Sequence, residues 1–191
     1  MNHKQPMKFY PLTPAGWPDL EALFGERGAV GGCWCMWWRL RHSEFEHRTG
    51  EENRQALKAL VDAGEVPGLL AYVGDKPVAW CSVAPRTQFP RLERSRILRP
   101  LDEQPVWSIV CFFVDKAYRK QGIMVKLLQA VVDYVRQQGG HVVEGYPVQP
   151  RTGTMPPAFA YTGLVSAFKK AGFVECARRS ETRPIMRFYI R

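Results

Sequence analysis

The sequence predicts a single α/β domain, α+β in some schemes. Two observations carry this prediction. Runs rich in β-branched and aromatic residues alternate with stretches of helical period, in the order β-α-α-β-β-β-α-β-α-β-β. The 191 residues also contain no linker-like segment or charge block that would divide the chain. We therefore expect one domain over residues 1–191.

The first half of the chain predicts an edge strand, two helices and a hairpin. The segments are a strand at 7–12, helices at 14–24 and 51–63, and strands at 68–73 and 78–84. Thr13 is suited to be the N-cap of the first helix, and Gly64 ends the second. The turn residues 74–77 (Gly-Asp-Lys-Pro) separate the last two strands, which predicts a β-hairpin.

The second half predicts a central strand, a crossover helix and a closing pair of strands. The segments are a strand at 106–114, a helix from 123 to the glycines at 139 and 140, a strand at 141–148, a helix at 163–171, and strands at 173–179 and 184–190. A right-handed crossover would make the strand at 141–148 parallel to the strand at 106–114. A loop rich in proline and glycine follows residue 148.

The turn after the central strand has the chemistry of a phosphate site. A turn that opens a helix directs unpaired backbone N–H groups and the positive end of the helix dipole at one point. Arg119 and Lys120 add positive charge there, and Gly122 allows an anion to approach the backbone closely. These residues predict an anionic ligand with phosphate groups.

The same turn resembles a known family signature. Residues 119–124 read RKQGIM, and this is similar to the pyrophosphate loop of the GCN5-related N-acetyltransferases, the GNAT family. That loop reads Arg or Gln, two residues, Gly, one residue, and Gly or Ala. Met124 departs from the pattern, although a backbone N–H donates whatever its side chain is. Residues 168–173 resemble the second family signature, in which an aromatic residue precedes Gly-Phe by four positions.

The resemblance implies a fold, a co-substrate and a reaction. The fold would be one mixed and mostly antiparallel sheet with helices on both faces. Its parallel strands at 106–114 and 141–148 would splay apart, with the pantetheine arm of acetyl coenzyme A in the gap. An acetyl group would pass to a primary amine of a small molecule or amino-acid-like metabolite by direct attack in a ternary complex. The residues implied for coenzyme binding are Phe112, Phe113, Val114, Arg119, Lys120, Gln121, Gly122, Ile123, Met124 and Phe168.

The catalytic residues are less completely defined by the resemblance. Ser108 occupies the place of a glutamate base that many family members carry, and Phe168 occupies the place of a tyrosine acid. Glu144 on the next strand is the candidate base, because burial would raise the pKa of a carboxyl there. It could equally be a structural group. Tyr161 is the candidate acid and Tyr146 is a second candidate, and an aromatic residue in either place could instead be packing or pocket wall.

A cluster of tryptophans indicates the acceptor site. Trp34, Trp37 and Trp38 make up half of the six tryptophans in the chain, and with Tyr146 they are the predicted substrate pocket. Exposed indoles would suit an apolar, aromatic or cationic acceptor. The alternative is that they fill the core under a long loop. We expect no metal, because Cys33 and Cys35 would supply only two ligands and a closed site needs more.

Composition limits the partners without choosing one. The net charge of +9 attracts anions in general, and charge alone cannot choose between nucleic acid and a coenzyme with three phosphates. Because the loop resemblance implies the coenzyme, we do not expect nucleic acid as the partner. The basic run at residues 86–99 is interpreted as a solvated surface. Two alternative functions stay open. One is a protein or peptide N-acetyltransferase, and the other is a non-catalytic module that binds coenzyme or nucleic acid.

Location and assembly are also expectations at this point. Five cysteines, an odd number set among apolar neighbours, are typical of reduced thiols in the cytoplasm. We see neither a signal peptide nor an apolar run long enough to span a membrane. The protein is expected to be a monomer or a homodimer.

Overall fold

A computed structural model describes residues 6–151, 156 and 160–191, and seven strands in this part of the chain form one sheet. The strands are β1 (Met7–Pro11), β2 (Gly68–Val73), β3 (Lys76–Pro85), β4 (Trp107–Val114), β5 (Val142–Gly145), β6 (Val174–Arg178) and β7 (Pro184–Tyr189). Their spatial order is β1-β2-β3-β4-β5-β7-β6. Every neighbouring pair is antiparallel except β4 and β5, which are parallel. The predicted mixed sheet is confirmed.

Six α-helices accompany the sheet in the described ranges. They are α1 (Trp17–Phe24), α2 (His42–Glu46), α3 (Gly50–Asp62), α4 (Pro90–Glu93), α5 (Ile123–Gln137) and α6 (Val165–Lys170). None of them combines the length and the apolar character needed to cross a membrane.

Two hydrophobic cores lie on opposite faces of the sheet. On one face α1, α3 and the loop between them cover the sheet, with Trp34, Leu57 and Trp80 buried. On the other face α5 and α6 pack, with Leu127 and Phe168 fully buried. Helices therefore shield both sides of the sheet, which leaves its strand ends as the places where a ligand can enter.

Local sequence explains the main helices. Thr49 and Glu52 form a reciprocal capping box at the start of α3, with N–H to oxygen distances of 2.6 and 3.3 Å. The apolar periodicity of the crossover helix predicts a buried stripe, and all of its members but one are buried in α5, the exception being the half-buried Met124. The buried members are Ile123, Leu127, Leu128, Val131, Val132 and Val135. Apolar periodicity was thus sufficient to place this helix.

The parallel pair at the centre of the sheet is short. Its register pairs Trp107 with Val143, Ser108 with Glu144, and Ile109 with Gly145. β4 then continues to Val114, while β5 ends at Gly145. The strands consequently separate beyond this point, as the resemblance implied.

Some boundaries differ from the prediction. β5 stops three residues before the predicted end at 148, and Pro147 has no N–H with which to continue a ladder. The short helix α2 lies where no helix was predicted, because five residues carry too little periodicity, and α4 lies in the basic run that was expected to be a loop or a short helix. The loop predicted after residue 148 falls in part on residues 152–155 and 157–159, outside the described residues.

Candidate coenzyme-binding and acceptor site

The turn after β4 gathers backbone amides at the N-terminus of α5. A 3-10 turn, Lys116–Tyr118, leads into the exposed residues 119–122. Lys120 and Gly122 both have left-handed φ values, +61° and +76°. Within the described ranges, the amides of residues 120–124 donate to no backbone carbonyl. A concave array of free N–H groups at a helix start is typical of anion sites.

Side-chain charge at this turn is mainly positive. Lys116, Arg119 and Lys120 are exposed around it. The neighbouring carboxylate of Asp115 is partly neutralised by Lys76, whose Nζ lies 3.4 Å from it. The charges and the dipole of α5 therefore favour the same ligand, a multiply charged anion.

A β-bulge determines which side chains the end of β4 presents. Ser82 pairs with Cys111 and Val83 pairs with Ile109, so the register steps past Val110. Val110 and Cys111 both join the core on the side of α1 and α3. The simple alternation of faces along the strand is interrupted at this point.

The polar groups at the end of β4 are engaged within the chain. The amide of Phe112 donates to the carbonyl oxygen of Tyr161 at 2.6 Å. The Nε of Arg119 donates to the carbonyl oxygen of Val114 at 2.9 Å. The side chains of Phe113 and Val114 are half-buried, and that of Phe112 is buried. The amide of Phe112 and the carbonyl of Val114, both in residues implied for coenzyme binding, thus already have partners within the chain.

The segment around Tyr161 lies in the gap between the splayed strands. The amide of Val148 donates to the carbonyl oxygen of Gly163 at 2.9 Å, and Val148 forms a parallel bridge with Leu164. On its other side the segment contacts β4 through the bond between Phe112 and Tyr161. The gap therefore contains protein backbone beside the end of β4.

Tyr161 lies among charged and thiol groups. Burial raises the pKa of its phenol, and the charges of Arg183 and Arg91 oppose that rise, whereas Cys111 and Cys33 add to it. The phenol is therefore protonated through the neutral pH range. A protonated phenol beside the end of β4 can donate a proton.

Glu144, the predicted base, is a buried acceptor of several hydrogen bonds. Its side chain is 1% exposed. One oxygen, Oε1, accepts from Arg86 Nη1 at 3.0 Å and from the Tyr146 hydroxyl at 2.7 Å. The other, Oε2, accepts from Arg187 Nε at 2.7 Å. Both oxygens are thus held by donors, two of which are cationic.

The hydroxyls around Glu144 have defined roles. Arg86 Nη1 also donates to the Tyr146 oxygen at 2.7 Å, and Ser108 Oγ lies 2.8 Å from that oxygen. Tyr146 gives its one proton to Glu144, so Ser108 must be the donor in their contact. Burial, followed by the charge of Glu144, raises the pKa of Tyr146 well above its usual range. In the described part of the protein, these side chains are joined in one buried hydrogen-bond network.

Arg187 extends this network to the surface. Its Nη1 and Nη2 donate to the Asp102 carboxylate at 2.6 and 3.0 Å. Burial works against its charged form, but hydrogen bonds to Asp102 and Glu144 outweigh burial and raise its pKa. Sequence reasoning missed Arg86 and Arg187, although the register between β5 and β7 places Arg187 directly opposite Glu144.

The tryptophan segment divides between core and surface. Trp34 is 5% exposed and stacks on Trp17, with ring centroids 5.9 Å apart. Tyr146 is fully buried. Trp37 and Trp38 are half-buried and line an open cavity. Only these two of the four predicted pocket residues therefore reach that cavity.

Thiol contacts attach the same segment to β4. The Cys35 thiol donates to Cys111 Sγ at 3.3 Å, and the cysteines are free. Hydrogen bonding to Cys111 and burial hold the pKa of Cys35 well above its usual range. Hydrogen bonding to Cys35 and burial likewise raise the pKa of Cys33. Neutral, buried thiols of this kind are poor nucleophiles. No set of three or more potential metal ligands is found in the described ranges.

Phe168 is part of the core beneath the gap. It is 0% exposed and packs edge-on against Phe112 and Phe173, with centroid distances of 6.1 and 4.9 Å. A methyl group added at Gly145 or Gly163 would meet its ring at 2.2 or 2.7 Å. Phe168 thus supports the gap from below, and a bound coenzyme would find none of its surface exposed.

A basic cavity lies at the tryptophan segment. It has a volume of about 310 Å³ and is lined by Trp37, Trp38, Arg41, His42, Pro90, Arg91, Arg94 and Ser95. We call it the arginine hollow. Its arginines come from two segments, one of them the basic run that was interpreted as a solvated surface. Sequence spacing alone gave no reason to bring the two segments together.

Comparisons with solved structures agree with this architecture. An acetyltransferase of the GNAT family from Streptococcus agalactiae is 12% identical with a TM-score of 0.58, covering 99% of this chain and 98% of its own. The structure of yncA from Salmonella typhimurium with acetyl-CoA is 14% identical with a TM-score of 0.53, covering 96% and 93%. NAA60 from Arabidopsis thaliana in complex with acetyl-CoA is 16% identical with a TM-score of 0.52, covering 97% and 100%. At these identities the likeness establishes the fold.

The fold and the site define an α/β protein with a splayed parallel pair and an anion-binding turn. The family model described as the acetyltransferase (GNAT) family matches residues 34–150, which include β4, the turn and α5. The chain belongs to the GNAT acetyltransferase family, and the predicted resemblance is confirmed. A comparison with curated protein sequences found no significant match.

Proposed function

We propose that the protein transfers an acetyl group from acetyl coenzyme A to a primary amine of a small molecule or amino-acid-like metabolite. The observation that carries the proposal is the turn at residues 119–124, with its free amides and cations at the start of α5. This turn lies just beyond the splayed end of β4. Two structures of similar fold hold acetyl-CoA.

The coenzyme would bind in two parts. Its pyrophosphate would accept from the amides of residues 120–124, where Arg119 and Lys120 supply charge. Its pantetheine arm would lie along the end of β4. Because the Phe112 amide already donates to the Tyr161 carbonyl, this amide can serve the coenzyme only after that carbonyl has moved.

The acceptor amine must be neutral when it attacks. Its nitrogen forms a bond with the thioester carbon and loses one N–H proton to water, the carbon–sulfur bond breaks, and the thiolate takes up a proton. Glu144 is a poor candidate for base in the observed arrangement, because three donors hold its two oxygens. Positive charges at Arg91 and Arg183 would instead lower the pKa of a bound ammonium group, which could then lose its proton to water.

Tyr161 is the proposed proton donor to the leaving thiolate. We expect Tyr161→Phe to lower kcat about 100-fold, the lower range for loss of general acid catalysis. The KM for acetyl-CoA should change little, because the backbone carbonyl remains. Since the pKa of Tyr161 is raised, the wild-type kcat should show no loss from ionisation of Tyr161 below about pH 10. Steady-state kinetics from pH 6 to 10 would measure both effects.

A tyrosine far from the site provides the control. Tyr10 lies on the edge strand β1 and is 52% exposed, so Tyr10→Phe should leave kcat unchanged. If Tyr161→Phe retains wild-type kcat at every pH, Tyr161 is not the acid.

Isothermal titration calorimetry tests the proposed function directly. The protein would be titrated with acetyl-CoA, with adenosine phosphates, and with a DNA duplex at two salt concentrations. Saturable binding that requires the pantetheine arm is expected, followed by acceptor-dependent thiol release with a panel of small amines and peptides. Salt-sensitive DNA binding without coenzyme binding would contradict the proposal. Turnover of peptides alone would contradict the small-molecule acceptor.

A further inference from the structure

We infer that the acceptor carries an anionic group, a carboxylate or a phosphate, and that the arginine hollow binds this group. The inference rests on the proposed function, because it concerns the acceptor of the same reaction. It adds a substrate class and a binding site for the part of the substrate that does not react.

The charge of the hollow is the first argument. Arg41, Arg91 and Arg94 contribute to its lining, and none of the eight lining residues is acidic. In the described chain these arginines form no ion pair with a carboxylate. Three guanidinium groups in one small cavity repel each other unless an anion lies between them.

A second cavity shows that this charge is specific to the hollow. It is lined by Glu21, Glu26 and Glu51 together with Arg54. Arg54 forms ion pairs with both Glu21 and Glu51 there. The larger cavity is therefore acidic and internally paired, whereas the three arginines of the hollow have no ion-pair partner among the described residues and the nearby carboxylate of Glu46 contacts His42 instead.

Arg91 is held in a fixed orientation. Its Nε donates to the carbonyl oxygen of Leu40 at 3.0 Å, and its guanidinium carbon lies 3.6 Å from the centre of the Trp37 ring. Its Nη2 is buried without a hydrogen-bond partner in the described chain, as is the indole Nε1 of Trp38. Unpaired buried donors are costly, and both donors belong to residues that line the hollow.

The stacking of Arg91 also changes the expected substrate. Exposed indoles were expected to suit a cationic acceptor among others, but a cation of the protein itself already lies over Trp37. A cationic group would meet three arginines in the hollow. An anion would meet favourable charge there.

The hollow and the proposed reaction centre share one hydrophobic core. Trp38, which lines the hollow, and Tyr161 both pack against this core, and the charge of Arg91 also acts on the phenol of Tyr161. The carbonyl of Tyr161 in turn contacts β4 at Phe112. A substrate bound through its anion near Arg91 would therefore place the rest of its structure toward the end of β4.

The size of the hollow favours a small ligand. Its volume of about 310 Å³ lies at the lower end of the range for small-molecule pockets, roughly 300–1,000 Å³. Such a volume holds a group with one ring, and the half-buried indoles provide apolar walls for it.

Direct binding to the free protein tests the hollow without acetyl-CoA. Phenylacetate and phenyl phosphate are the anionic probes, and 2-phenylethanol is the neutral probe, with quenching of tryptophan fluorescence as the readout. We expect one or both anions to bind at least tenfold more tightly than the alcohol. The stronger of the two anions identifies the group. Equal binding of all three probes would overturn the inference.

Matched amines then test the link to catalysis. L-phenylalanine and phenethylamine differ by one carboxylate, and phenethylamine and O-phosphoethanolamine carry their amines on two-carbon chains. We expect kcat/KM to be at least tenfold higher for the amine that carries the preferred anion. If kcat/KM for both anionic amines is equal to or lower than that for phenethylamine, the substrate class is overturned, even if coenzyme titration supports the proposed function.

Three arginine variants separate a specific site from general surface charge. Arg94→Gln and Arg41→Gln should each weaken anion binding about tenfold or more, the loss typical of one charge-assisted hydrogen bond. Arg96 is an exposed arginine of the same segment that does not line the hollow, so Arg96→Gln should bind normally. An equal loss in all three variants, or no loss in the first two, would overturn the inference.

Discussion

Replacement of Gly122 by glutamate should abolish acetyl-CoA binding, with an increase in Kd of more than about 100-fold. Gly122 is the N-cap residue of α5 and is exposed, with open space where a side chain would begin. A glutamate there would place a negative charge where the pyrophosphate is proposed to bind. It would remove the favourable charge at the helix start and add repulsion and bulk. Isothermal titration with acetyl-CoA measures the effect.

Gly139 provides a matched control for this variant. Its φ of +74° is close to the +76° of Gly122, and a side chain there would also enter open space. It follows the other end of α5. Both glutamate variants therefore bear a similar backbone strain, about 1 kcal/mol. Coenzyme affinity should be normal in Gly139→Glu, and normal affinity in Gly122→Glu would show that the turn does not bind the pyrophosphate.

The Glu144→Gln variant should lose about 3 kcal/mol of unfolding free energy. Glu144 is the anion between Arg86 and Arg187, and removing one partner of a buried ion pair typically costs about 3–5 kcal/mol. The lower value is expected because each arginine keeps a second carboxylate, Glu93 or Asp102. For a domain of this size the change corresponds to a fall in Tm of about 6–12 °C. Chemical denaturation and thermal scanning would measure it.

Glu93→Gln separates burial from charge in this experiment. Glu93 also pairs with Arg86, at 2.7 Å, but its side chain is 47% exposed. The cost there should be about 1 kcal/mol or less, as for exposed ion pairs. Equal losses in the two variants would contradict the importance of the buried network.

The same variant decides the catalytic role of Glu144. If Glu144 is a positioning residue, kcat measured well below the Tm should fall only modestly and keep its pH profile. A catalytic base would instead be revealed by a large fall in kcat and by loss of the acidic limb of the profile. Coenzyme affinity should be nearly intact in either case.

Much of the fold was predictable because it depends on local patterns. The hairpin around residues 74–77, the apolar stripe of α5 and the parallel crossover follow from periodicity and turn chemistry, and all three are present. The phosphate-binding character of residues 119–124 was inferred from charge, glycine and position. The structure adds the left-handed φ of Lys120, which composition does not encode.

The acceptor side was less predictable because it depends on contacts between distant segments. Glu144 was identified as a buried carboxylate, but its partners Arg86 and Arg187 lie 58 and 43 residues away. The bulge at Val110 changes which residues of β4 share a face, and alternation along one strand cannot reveal an insertion in its pairing. Arg91 reaches Trp37 only because α4 packs beside residues 36–38.

The short parallel ladder has a consequence for how the molecule opens. Only three residue pairs join β4 to β5, so the half-sheet β5, β7 and β6 is connected to β1–β4 by few backbone hydrogen bonds. We expect amide hydrogens of β5 and β7 to exchange with solvent through a partial opening that β2 and β3 do not share. A ligand that contacts both halves across the gap would suppress that opening. Native-state hydrogen exchange would then register coenzyme binding as slower exchange in β5 and β7.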